Sequence, residues 1–267
     1  MSEKRCWSVT TLVLLTLIAG CNGSSDPAGG TAGGSTTTPT ETPATSAPVE
    51  SAGAVGTSSI SGSIRFEGNV PTLRPLQMDA DPGCAKKHSG DVMSELLVLG
   101  ENNALANVLV YVTGGLAGGS YAPPSDPVVI DQVGCQYSPH VVSVQTGQAL
   151  TILNSDGLLH NVHGLPKANS PFNRAMPATV KEANYNFDKE EVFKVKCDVH
   201  PWMGAWIGVF AHPFHGVTGT GGNFSLDGLP AGNYEIEALH ERLGTLTAQV
   251  TVADGETATH DFTFVKE

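Results

Sequence analysis

The chain has no long stretch in which apolar residues recur every three to four positions. Its short runs of Val, Ile, Thr and Phe are cut by Gly, Pro, Asn and Asp. This excludes a helical bundle and predicts an all-β chain. Basic residues are scarce, 14 Lys+Arg against 26 Asp+Glu, for a formal net charge of −12. An acidic surface repels phosphate backbones, which excludes a nucleic-acid partner and favours a basic protein partner where there is one. Also missing are G-x-S-x-G, H-E-x-x-H and a Gly-rich loop leading from a strand into a helix, so no hydrolytic or phosphate-binding motif is present. The one strongly apolar run, V-T-T-L-V-L-L-T-L-I-A-G ending at Gly20, is too short for a typical membrane span.

That run follows M-S-E-K-R and precedes Cys21. A basic start, a short apolar stretch and small residues together read as a secretory signal, residues 1–20, which contributes nothing to the fold. Its loss removes Glu3, Lys4 and Arg5 and makes the chain more acidic by one charge. Residues 21–57 are Gly, Ser, Thr and Pro with almost no large apolar side chain. Such a segment cannot bury enough surface to offset its ordering entropy and is expected to be a flexible tether. About 210 residues then remain, enough for one large or two small domains.

The five cysteines sharpen the picture. Cys6 falls in the signal and Cys21 at its end, leaving Cys84, Cys135 and Cys197. Thiols in an exported, oxidising compartment tend to pair, and three leave one over. Cys197 lies in C-D-V-H-P-W-M with His200 and Met203, so a metal gives it a reason to stay unpaired. Cys84 and Cys135 are then the expected disulfide. Two alternatives stay open: a second metal site built from Cys84, His88, Cys135 and His140, or two unpaired buried thiols.

The strand-like run E-V-F-K-V-K places Phe193, Val195 and Cys197 on one face by the period of two, with Lys194 and Lys196 on the other. The Cys197 sulfur is thus expected to point inward at a strand end. Upstream, Val142 and Val144, then Leu150 and Ile152, alternate across a T-G-Q turn and read as a hairpin. N-S-D-G breaks the second strand and puts His160 at the start of the next segment. His160, Cys197 and His200 with a weak Met203 thioether make a His2Cys set with an axial ligand, the donor set of a blue-copper electron-transfer site.

The order H…C-x-x-H-x-x-M resembles the cupredoxins, small Greek-key β-sandwiches. The short C-x-x-H-P-W-M loop and the H-N-V-H segment are most similar to amicyanin, although Trp202 stands where amicyanin has Phe. The resemblance implies one type 1 copper held by His160, Cys197, His200 and Met203. It also implies that Asn161 ties the two ligand loops together. The ending I-A-G-C resembles a bacterial lipobox, which implies lipidation of Cys21. The stretches I-S-G-S-I-R-F-E-G, L-A-N-V-L-V-Y-V (Leu105 to Val112) and the run from Gly221 to the C-terminus resemble a carboxypeptidase-regulatory-like domain, an Ig-like or transthyretin-like sandwich. The expected organisation is therefore residues 58–127 and 213–267 as two parts of that sandwich, with a cupredoxin domain, residues 128–212, between them.

These resemblances imply a membrane-tethered copper protein of the bacterial envelope, facing the periplasm or on the outer membrane. It would exchange one electron with a redox partner protein, a basic one or a cytochrome c. The alternative is a carbohydrate-binding, adhesion or spacer lipoprotein whose copper is structural or stored. Four protein ligands leave no position for a substrate, so an enzyme is not expected. His200, beside Pro201 and Trp202, is the expected port for the electron. His163 is expected in a packed or surface role, His240 at the surface, and His212 and His215 at a domain junction.

Overall fold

A computed structural model describes residue 53 and residues 55–266. The lipidation expected at Cys21, the signal and nearly all of the tether lie outside the described residues. Among those described, no helix is long and apolar enough to cross a membrane. The chain is an all-β sandwich fold. All described residues fall within one compact unit, Pro48–Glu267.

Two strands open the described chain, β1 (Ser58–Gly68) and β2 (Leu109–Gly114). Between them a four-residue helix, α1 (Pro82–Ala85), starts at Asp81, whose carboxylate accepts the Gly83 N–H, with Pro82 in the first turn where its missing N–H costs nothing. Nine strands follow: β3 (Val128–Val133), β4 (Gln136–Ser138), β5 (Val141–Gln145), β6 (Leu150–Asn154), β7 (His160–Gly164), β8 (Phe172–Met176), β9 (Glu182–Tyr185), β10 (Glu191–Lys196) and β11 (Gly204–Phe210). They form two sheets, β4-β3-β6-β9 and β5-β11-β10-β7-β8. Ile130, Leu150 and Ile152 from the first meet Val144, Val162, Val195 and Ile207 from the second, all fully buried.

The remaining strands are β12 (His215–Val217), β13 (Asn223–Leu229), β14 (Gly232–His240), β15 (Gly244–Val252), β16 (Thr257–Thr259) and β17 (Phe262–Lys266). They pair with the first two strands. β1 lies between β13 and the β16 and β17 pair, and β2 lies between β12 and β14. Ile60, Ile64, Phe66, Phe214, Tyr234, Ile236 and Phe264 fill the space between these sheets. Strands from both ends of the chain thus share sheets, while residues 128–210 build their own pair. The two sandwiches meet at Leu109, Val141 and Phe210, with the Tyr111 ring tilted against that of Phe210, 4.5 Å between centroids.

Two readings of the strands change. β5 and β6 do not form a hairpin: β5 pairs in parallel with β11, and β6 in parallel with β3. Their alternation is real, but the two strands face the same core from opposite sheets, and Gly147, at φ +78°, turns the chain between them. β2 begins at Leu109 rather than Leu105, because Asn107 sits at φ +61° and breaks the extended run. The opening strand of the middle sandwich is β3, V-V-I-D-Q-V.

His240 is buried, not superficial, 2% exposed with its ring 6.2 Å from Phe264. Burial presses the His240 and His215 imidazoles down to about 4. A depressed folded pKa means that the unfolded chain takes up protons first as pH falls below about 6.5. Both groups therefore stabilise the fold above about pH 6.5, and that stability is lost as pH falls toward 4. His240→Asn is expected to flatten the fall of the urea midpoint between pH 6.5 and 4. An unaltered slope would contradict this reading.

Candidate metal centre

The loop Cys197–Met203 joins neighbouring antiparallel strands β10 and β11, whose register ends at Lys196 opposite Gly204. The Cys197 N–H donates to Met203 O at 3.2 Å and the Met203 N–H to His200 O at 3.0 Å, which closes the loop into a tight turn. Phe193, Val195 and Cys197 are buried while Lys194 is exposed, as the alternation demands. β7 runs beside β10, pairing His163 with Lys196, and so brings its first residue, His160, to the loop.

His160 Nδ1 lies 3.0 Å from His200 Nδ1, and Cys197 Sγ lies 3.8 Å from the latter. Ligand atoms of His160, Cys197 and His200 all lie within 4.8 Å of one another, and all three residues are buried. Met203 is 2% exposed in the same core cluster. Asn161 accepts the Asp198 N–H at 3.1 Å through Oδ1 and donates from Nδ2 to Asn173 Oδ1 at 2.5 Å, linking β7, β8 and the loop. Two buried imidazoles and a thiol, with no carboxylate among the three, suit a soft or borderline ion such as copper.

The outward nitrogen of each imidazole meets a carboxylate. His160 Nε2 donates to Asp156 Oδ2 at 2.8 Å, and His200 Nε2 to Asp81 Oδ2 at 3.1 Å. The Asp156 side chain is 1% exposed and also accepts from Gly134 N–H, Cys135 N–H and Lys87 Nζ. Burial pushes its carboxyl up, yet His160 and the other donors hold it well below the usual carboxylate range. Burial works against a charge on His160, but the bonds to Asp156 and Cys197 raise it to about 9. At Cys197 burial pushes the thiol up, while His160 and the backbone N–H groups of His200, Val199 and Asn161 outweigh it and lower it. The site thus favours a thiolate, the form that ligates metal.

Cys84 and Cys135 form a disulfide, with Cα atoms 5.6 Å apart, and Cys197 is the free cysteine among the described residues. His88 turns to Gly134 O at 2.8 Å, and His140 to Glu241 Oε1 at 2.5 Å and Gly204 O at 3.0 Å. Those two imidazoles are thus engaged by groups other than the cysteine sulfurs. His163 is half-buried and bonds Asp198 at 2.9 Å. His212 is buried at the meeting of the two sandwiches and bonds Val112 O at 3.0 Å, and His215 stacks on Phe210.

An exposed electron port at His200 is not found: the residue is 2% exposed and covered by Asp81 and Cys84. Sequence reading missed Asp81 and Asp156. The clues were D-P-G-C, a helix start beside a cysteine, and an Asp four residues before His160. A cleft of about 500 Å³ opens beside the centre, lined by Tyr137, Cys197, Trp202, Met203, Trp206 and Glu241 among others. Trp206 Nε1 donates to Glu241 Oε2 at 2.8 Å.

No protein-family model matches the chain, and no curated protein does. Similar solved structures are cupredoxins and copper proteins. A copper-containing nitrite reductase from Thermus scotoductus SA-01 is 21% identical over 36% of this chain and 25% of its own, with a TM-score of 0.30. A reduced Cu(I) amicyanin variant is 20% identical over 33% of this chain and 91% of its own, at 0.29. A purple cupredoxin from Nitrosopumilus maritimus is 23% identical over 31% and 98%, at 0.27. This chain spans about a quarter of the nitrite reductase but nearly all of the two small proteins. The presence of the reductase corrects one expectation: a non-enzymatic role does not follow from the four-ligand set, and that exclusion is withdrawn. These solved structures are similar to only part of this chain.

Proposed function

We propose that the protein is a tethered one-electron carrier whose single type 1 copper is held by His160, Cys197, His200 and Met203. The observation that supports this best is the convergence of two Nδ1 atoms and the Cys197 Sγ within 4.8 Å in a buried pocket. Copper, when bound, would supply a Cu(II)/Cu(I) couple. The residues do the rest. Asp156 and Asp81 hold the outward nitrogens, so that Nδ1 of each imidazole is the atom turned toward the other donors, free to ligate once its proton is lost to the metal. The tight 197–203 turn holds its donors in place, so little rearranges when charge changes. Asn161 locks the loop to β7. Residues 128–212 form the copper-carrying domain, and residues 58–127 with 213–267 form a regulatory-like sandwich that presents it. A lipid on Cys21 and the tether of residues 21–57 anchor it in a bacterial envelope, where a redox partner protein supplies or removes the electron.

Met203 is the ligand to change without destroying the site. Met203→Leu is expected to keep one copper and the visible thiolate band but to raise the reduction potential, because a weak donor that favours Cu(II) is lost. Voltammetry and absorption on the same sample test this. Loss of copper in that variant would contradict a weak-donor role for Met203. Wild-type protein that binds copper without a thiolate band would contradict the carrier itself.

A further inference from the structure

His200 has its outward edge closed by a segment distant in sequence. Nε2 is 3.1 Å from Asp81 Oδ2 and 3.5 Å from Cys84 Sγ. The second carboxylate oxygen, Asp81 Oδ1, accepts the Gly83 N–H at 2.7 Å, so capping α1 also fixes the carboxylate. Cys84 on α1 is bonded to Cys135, which sits at φ +55° after Gly134 at φ +63° in the turn between β3 and β4. That turn is pinned in its own right. Its two N–H groups go to Asp156, and Cys135 O accepts Trp202 Nε1–H at 3.1 Å. The Trp202 ring lies 5.1 Å from the His200 ring.

A neutral imidazole carries one N–H. When that N–H donates from Nε2 to a carboxylate, the lone pair is left on Nδ1, the atom facing His160 and Cys197. We propose that Asp81 is a positioning residue for His200, with α1 as its mount and the Cys84–Cys135 disulfide as the anchor of that mount. The carboxylate selects the Nδ1-ligating tautomer and strengthens the imidazole as a donor, which favours the more highly charged metal state. It also closes the edge through which His200 would otherwise face a partner. This rests on the copper reading of His160, Cys197 and His200.

The test compares the full chain with Asp81→Asn, Asp81→Ala and the exposed neighbour Asp79→Asn. Asn keeps an acceptor but removes the charge, while Ala removes both. All four proteins are expected to keep copper and the thiolate band. Asp81→Asn is expected to shift the Cu(II)/Cu(I) preference about tenfold toward Cu(I), about 59 mV upward for one electron. Asp81→Ala is expected to shift it at least as far, and Asp79→Asn to leave it in place. In reduced, diamagnetic protein, NMR should show slow solvent exchange of the His200 Nε2–H in wild type and Asp81→Asn. Exchange should be faster in Asp81→Ala and in the Cys84→Ser/Cys135→Ser pair. A coloured wild type with unshifted Asp81 variants would overturn this proposal alone. So would an Asp79→Asn shift equal to that of Asp81→Asn, since diffuse charge would then explain both. A wild type without the thiolate band would overturn the copper reading and this proposal with it.

Discussion

Cys197→Ser protein is expected to lose the intense visible band completely, whatever copper it still holds. The band of a blue-copper centre needs a thiolate bonded to Cu(II), and a hydroxyl cannot replace it. Cys197 is the free cysteine among the described residues, and it is buried with three backbone N–H groups and His160 arranged to favour its anion. Ser would keep the turn closed, because the Cys197 N–H to Met203 O bond is backbone to backbone. Loss of colour would then report chemistry rather than unfolding, which circular dichroism can check. His163→Ala serves as the control. Its imidazole is engaged by Asp198, and it is the one residue of β7 that is not buried, so its spectrum should match wild type. A Cys197→Ser protein that stays blue, or a bleached His163→Ala, would refute the ligand assignment.

Replacing Cys84 and Cys135 by Ser is expected to lower the stability of metal-free protein by about 2–5 kcal/mol. The bond closes a loop of sequence separation 51, and both residues are fully buried. It also secures α1, a four-residue helix too short to hold itself. The urea midpoint of the variant should fall, and dithiothreitol should bring wild type to the same value. Thiol counting on denatured, metal-free protein should find one reactive group, Cys197, among residues 58–267. Three reactive thiols, or a midpoint indifferent to both treatments, would contradict the bridge.

How far the site could be read in advance follows from what is local. Cys197 points inward because Phe193 and Val195 do, and a period of two over six residues suffices to say so. The turn that gathers Cys197, His200 and Met203 is seven residues long, so its ligands declare themselves by spacing. His160 is recognisable because N-S-D-G ends one strand just before it. Everything that holds these groups from outside is non-local. Asp81 is 119 residues from His200, and no periodicity links them. Alternation showed that Val142, Val144, Leu150 and Ile152 face a core, but a strand pattern is the same whichever sheet it joins, so β5 and β6 were joined wrongly. His240 was misplaced because a histidine between Leu239 and Glu241 looks wet, whereas the alternation of β14, with Tyr234, Ile236 and Ala238 buried, carries it inward.

The central claim is that His160, Cys197 and His200 hold one copper through two imidazoles and a thiolate. Titrating metal-free protein with Cu(II) while recording visible absorption and electron paramagnetic resonance tests it most directly. The account predicts saturation at one copper per chain, an intense thiolate band growing in step, and the small parallel hyperfine coupling of a covalent Cu–S bond. A colourless product with the wide coupling of a tetragonal nitrogen and oxygen site would contradict it.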